Sequence, residues 1–190
     1  LVDPALGVVG ETLAAELGLP SPALLQDGAF GDVYVAPAVP AERRDEVLRT
    51  AIERFRAHRQ VFAVYTRDEI LAAPMPTRPP EHWTPIERVR ASFHPDRSGD
   101  FVVLLEPRVT PIPTTASAVA THGSPWDYDR RVPIVFWQPG RAGFEQPLGV
   151  ATADIMPTLA ALIGLDISAR ELDGRCLDLD PGEGTTCPTR

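Results

Sequence analysis

Histidine, cysteine and clustered aspartate are the side chains here that could carry chemistry, and His122 has the most suggestive setting. It lies in "THGSPWDYDRRVPIVFW", residues 121–137, after the small-residue run "TTASAVAT" and ahead of a turn bearing Asp127 and Asp129. Gly123 permits a positive φ or a close backbone approach, and Pro125 helps to fix the turn. A metal-bound imidazole needs an acceptor to hold its second nitrogen, and a turn rich in carboxylates and carbonyls can supply one. The same residues equally suit a histidine that only hydrogen-bonds its own loop. One histidine does not make a metal site.

The other candidates are weaker. His58 ends an Arg-rich helical segment and reads as part of a solvated face. His82 and His94 sit in proline-flanked loops, "PPEHWTP" and "SFHPDRS", without the helical or strand spacing of a zinc pair. Ser124 is not framed as G-x-S-x-G, so no nucleophile elbow is present. Asp127 and Asp129 could be paired carboxylates, although neighbouring turn aspartates are more often solvated or capping. Cys176 and Cys187 form a lone C-x10-C pair, too little for zinc. Pro181, Gly182 and Gly184 between them would let a loop close. In an oxidising compartment a disulfide there would add about 2–3 kcal/mol; in a reducing one the two would be free thiols. The disulfide reading implies an exported protein, periplasmic or secreted.

The elements that must position these residues are legible in part. "FGDVYV" reads as a strand, and "PAERRDEVLRTAIERFRAHRQ" as a helix with Val47, Leu48, Ala51, Ile52 and Phe55 on one face. Pro40 suits its start. "VFAVYT" returns as a strand, followed by a short helix near "RDEILAA", which gives a β-α-β packing unit. Five prolines in "APMPTRPPEHWTP" forbid regular structure there. "PIERVRASF" is helical, "HPDRSGD" a turn, and "FVVLLEP" a buried strand by its continuous apolar content. "RVTPIPTTASAVA" is extended and loop-like, and "RVPIVFWQPG" reads as a further strand. In "TADIMPTLAALIGLDI", Ile155, Leu159, Leu162 and Ile163 share a helix face, Asp154 or Thr152 can cap the start, and Gly164 ends it.

Composition narrows the class of protein. The 190 residues are 44% hydrophobic and 23% charged, a globular balance with chain enough for one sizeable core or two small ones. The 21 prolines stand at roughly twice the average frequency and fix many loops. A net charge of −8 and a pI near 5.0 argue against nucleic acid and anionic membrane as partners. No apolar run approaches the length of a membrane span. The start, "LVDPALGVVG", lacks the features of a signal peptide and reads as chain already in mid-course.

Taken together, "THGSPWDYDRRVPIVFW", "VATADIMPTLAALIGLDI" and "LDGRCL" resemble the C-terminal part of the alkaline phosphatase superfamily. Within it the resemblance is to bacterial phosphate-irrepressible alkaline phosphatases, relatives of the nucleotide pyrophosphatase/phosphodiesterases. "GDVYVAP" and the helical segment after it resemble the stretch between that family's two groups of metal ligands. The resemblance implies an α/β sandwich holding two zinc ions, with a threonine or serine nucleophile and a phosphoenzyme intermediate. The zinc ions would clamp the attacking and leaving oxygens.

In that pattern the histidine of "THGSP" is the last ligand for one zinc, and it carries over to His122 alone. Asp127, Tyr128 and Asp129 would orient the motif turn. The nucleophile and remaining ligands belong to segments N-terminal to this chain, which contains neither an Asp-x-x-x-His pair nor an Asp-His dipeptide. The expectation is therefore the C-terminal portion of a larger phosphatase, inactive alone. Residues 1–114 would form a β-α-β-containing accessory segment, and residues 115–190 the return to the core. Its partners would be a phosphate ester and the N-terminal remainder of the same enzyme. A different reading, motivated by the missing ligands, is a non-catalytic binding or interaction domain derived from the same superfamily.

Overall fold

Alternation along the strands decides how the chain is layered. The computed structural model describes residues 1–28, 30–112, 118, 120–167 and 172–188. Four strands form one sheet: β1 (Leu24–Gln26), β2 (Gly31–Val35), β3 (Val61–Thr66) and β4 (Phe101–Leu105). Their order is β1-β2-β4-β3, and every neighbouring pair is antiparallel. All five residues of β4 are buried, as a strand covered on both faces must be. Phe101, Val103 and Leu105 pack in one core, and Val102 and Leu104 in another. A register irregularity between Val61 and Ala63 lets Val61 and Val64, three residues apart, enter the first core together.

Helices cover each face for reasons visible in their sequences. On one side lie α1 (Val9–Leu17) and α2 (Arg44–Arg56). Helix α2 buries Val47, Ala51, Ile52 and Phe55, the expected stripe, and Phe55 meets Phe101 with ring centroids 5.7 Å apart. On the other side lie α3 (Arg67–Ala72) and α4 (Pro85–Ser92), contributing Ile70 and Val89, with Phe93 just beyond. Each begins on a threonine–glutamate pair. Thr66 N–H donates to Glu69 Oε2 at 2.7 Å, and Thr84 N–H to Glu87 Oε2 at 2.7 Å. The expected β-α-β unit is present in split form: β2 and β3 run parallel, with β4 inserted antiparallel between them.

Chain contacts separate two units, Leu1–Arg78 with Trp83–Arg131, and Pro79–His82 with Val132–Arg190. The first holds the sheet, helices α1 to α4 and the one-turn helix α5 (Asp127–Arg130). The second is built around α6 (Ile155–Leu162), entered through a 3-10 turn at Thr152–Asp154. Two buried polar residues tie α6 to the loop that follows it. Asp154 accepts the N–H of Ala151 and of Arg175, each at 2.9 Å. Thr158, fully buried, donates to Asp154 O at 2.6 Å and accepts Leu177 N–H at 2.9 Å. Gly174 must be glycine, because a Cβ there would lie 2.0 Å from Ala153 O. Beyond this clasp, Cys176 and Cys187 are joined in a disulfide with Cα atoms 5.7 Å apart.

The second unit holds one correction to the sequence reading and one feature that the reading left open. Residues 132–137 form no strand, and among the described residues their backbone groups make no hydrogen bonds. A strand exists only against a partner, and no described strand lies beside this one. The face of α6 carrying Leu159 and Ile163 is exposed, whereas Asp154, Pro157, Thr158 and Ala160 are buried. The polar clasp, rather than the apolar stripe, chooses which side of this helix turns inward. "RVTPIPTTASAVA" lies largely outside the described residues.

Candidate functional site at the histidine turn

The motif turn follows β4 and is anchored to its end. Trp126 donates its indole N–H to Leu105 O at 3.1 Å, and its ring meets Phe62 edge-on with centroids 4.9 Å apart. The Tyr128 hydroxyl accepts Arg108 N–H at 2.9 Å. Arg108 is the third residue of a turn closed by Val109 N–H to Glu106 O, and it takes φ 69° there. Asp129 accepts Ser124 N–H at 2.6 Å, folding the turn back on itself just beyond Gly123, whose φ is 105°. That conformation is the reason for glycine beside the histidine.

Arg88 is the residue that sequence reading missed. From α4 its guanidinium donates to Trp83 O at 2.9 Å and Pro125 O at 2.7 Å, and pairs with Asp127 Oδ1 at 2.9 Å. Asp127 also faces Arg130 at 3.6 Å and Arg131 at 3.9 Å. Burial first, then Arg88, lowers the Arg130 pKa from its usual value. Arg130 lies over the Trp83 ring, 5.7 Å from its centroid. Nothing in the spacing announces Arg88, because its partners Pro125 and Asp127 are far along the chain.

These contacts anchor the turn, and His122 is exposed on it. Among the described residues His122 has no hydrogen bond or ion pair. The enclosed Ser124 hydroxyl also finds no partner among them. Within this chain Asp127 gathers arginines, and Asp129 closes the turn. His82 and His94 are exposed, and His94 Nδ1 accepts Asp96 N–H at 3.1 Å. His58 is not simply solvated, since its ring lies 3.4 Å from Asp3 Oδ2 and accepts Gln60 N–H at 3.2 Å. By itself the turn offers one free imidazole on a fixed backbone, which can act as a ligand or exchange a proton. Among the described residues no nucleophile or second base is hydrogen-bonded to it.

No family model matches the chain. Two curated proteins match it along essentially its whole length. Alkaline phosphatase PhoK of a Sphingomonas species is 50% identical over 98% of this chain and 34% of its own length. Alkaline phosphatase PhoD of Zymomonas mobilis is 49% identical over 100% of this chain and 34% of its own. The chain belongs to the alkaline phosphatase superfamily. It spans about a third of the curated relatives it matches. The crystal structure of the alkaline phosphatase PafA aligns with a TM-score of 0.70 over 92% of this chain and 32% of that one, at 19% identity, which shows the shared fold.

For an alkaline phosphatase relative, the fit of a metal can be tested on the donors present. Among the described residues no group of three or more His, Cys, Asp or Glu could hold an ion. His122 belongs to no such group of potential ligands among these residues. It does not make a site alone.

Proposed function

We propose that this chain is the C-terminal portion of a two-zinc phosphatase hydrolysing phosphate monoesters, with a threonine or serine nucleophile on the remainder of the enzyme. The observation carrying this reading is near-50% identity along the whole chain to two proteins named alkaline phosphatase, of which it spans only 34%. His122 would be one zinc ligand. Asp127, Tyr128 and Asp129 would hold the turn that presents it, a role supported by their hydrogen bonds and ion pairs. When bound, zinc would supply electrostatic stabilisation of the phosphate oxygens. Residues 1–114 would be an accessory segment, and residues 115–190 would rejoin the core.

The Cys176–Cys187 disulfide supports an oxidising, exported location, periplasmic or secreted. No helix among the described residues is long and apolar enough to cross a membrane. The test is His122→Ala in the intact enzyme, followed by metal analysis and turnover of p-nitrophenyl phosphate. Zinc content should fall, and activity should drop at least about 10-fold. Full zinc and unchanged turnover would remove His122 from the site.

A further inference from the structure

Where β4 ends, Val109 N–H closes a turn onto Glu106 O, with Pro107 and Arg108 as its central residues. Arg108 takes φ 69°, as the third position of a type II turn does, and glycine is the usual residue there. No other non-glycine residue among those described has a positive φ. An arginine in this conformation carries strain that glycine would not. Its side chain gives nothing back to the fold. Among the described residues the exposed guanidinium makes no hydrogen bond or ion pair, and only the Arg108 backbone N–H is used, by Tyr128. A backbone outlier of this kind points to a task for the side chain.

Arg108 stands on the wall of a cavity of about 710 Å³, within the size range of small-molecule sites. The other walls are already fixed. Pro85 opens α4, and Pro107 is locked by its own ring. The indole N–H of Trp126 is tied to Leu105 O, and the Tyr128 hydroxyl to Arg108 N–H. Arg88 and Asp127 also line the cavity, and they are paired with each other at 2.9 Å. Two charged groups of the lining are left without a partner among the described residues, the Arg108 guanidinium and the Glu106 carboxylate. The first only donates and the second only accepts.

From these observations we infer that the cavity binds a small aromatic acid that also carries a hydroxyl or amino group. Its ring lies against Trp126, Tyr128 and the two prolines, its acid group pairs with Arg108, and its donor reaches Glu106. Fixed walls favour such a ligand, because little order remains to be imposed on binding. The site belongs to the first unit and uses neither His122 nor a metal. It goes beyond the proposed phosphatase reading and stands without it.

Calorimetric titration with 4-hydroxybenzoate tests this on the intact enzyme and on the 190-residue chain. Both should bind it with a Kd of about 1 mM or tighter. Phenol, which lacks the acid, and acetate, which lacks the ring, should each bind at least about 10-fold more weakly, with benzoate in between. Arg108→Gly places in the turn the residue it prefers, so the thermal midpoint should hold while affinity falls about 10-fold. A variant that binds as wild type does would overturn the inference, since the guanidinium would then take no ligand. One that loses the fold would overturn it too, by giving Arg108 a structural task. Acetate binding as well as 4-hydroxybenzoate would leave a bare surface cation and no site. Binding by the 190-residue chain but not by the intact enzyme would mean that further chain fills the cavity, which also removes the site. None of these failures touches the outcome expected for His122→Ala.

Discussion

At the scale of single residues, the polar groups that matter most here are structural, and two can be tested quantitatively. Asp154 is 5% exposed and accepts two backbone N–H groups. Its pairing with Arg175 is 3.8 Å long and mostly solvated on the arginine side, so it adds little. Asp154→Ala should therefore cost about 2–4 kcal/mol, chiefly by leaving those donors unsatisfied, and Thr158→Val about 1–3 kcal/mol. Denaturant unfolding measures both, and a change within about 0.5 kcal/mol for either would refute the clasp. Glu87 gives a pH signature instead. The Thr84 hydroxyl, then the Thr84 N–H, then Arg78 lower its pKa from 4.5 to about 2. A depressed folded value means that its contribution is complete above the ordinary carboxylate range and is lost as pH falls toward about 2. The stability difference between wild type and Glu87→Gln should then be largest above pH 4.5 and vanish near pH 2. A difference independent of pH would mean that the carboxylate charge is not what starts α4.

At the scale of elements, legibility followed periodicity where one pattern dominated. Helix α2 has an apolar stripe against a charged face, so Val47, Ala51, Ile52 and Phe55 could be read as core. The run 101–105 could be read as a buried strand, because its apolar content has no polar interruption. The orientation of α6 could not be read, since apolar residues occur on every side of it. Its inward face was settled by the N–H groups of Arg175 and Leu177, about twenty positions later, donating to Asp154 and Thr158, which no local pattern encodes. The tail after α6 depends on the disulfide in the same way. Reduction, or Cys176→Ser with Cys187→Ser, should lower the stability of the second unit by about 2–3 kcal/mol and speed exchange of the Leu177 amide. The first unit contains no cysteine and should keep its protection pattern. Equal loss of protection in both units would show that the bridge stabilises more than its own loop.

At the scale of the whole molecule, the site is legible only as a fragment. His122 could be singled out because glycine, proline and aspartates surround it in sequence, and family resemblance then gave it a proposed role. Its supports were hidden, since Arg88 reaches Pro125 across 37 positions and Trp126 reaches back 21 positions to Leu105. No reading could assemble a metal site from this chain, for among the described residues no group of three or more His, Cys, Asp or Glu could hold an ion. A chain that supplies one imidazole cannot hold zinc tightly, because structural and catalytic sites need three or four protein ligands. The isolated 190-residue chain, equilibrated with zinc and passed through gel filtration, should thus retain no stoichiometric metal. His122→Ala should not change that result. The same preparation should show no turnover of p-nitrophenyl phosphate above buffer, whereas the intact enzyme should bind zinc and turn over in a His122-dependent way. Stoichiometric zinc or measurable hydrolysis by the isolated chain would mean that the chemistry lies among its own residues, and His122 would have to be reassigned with it.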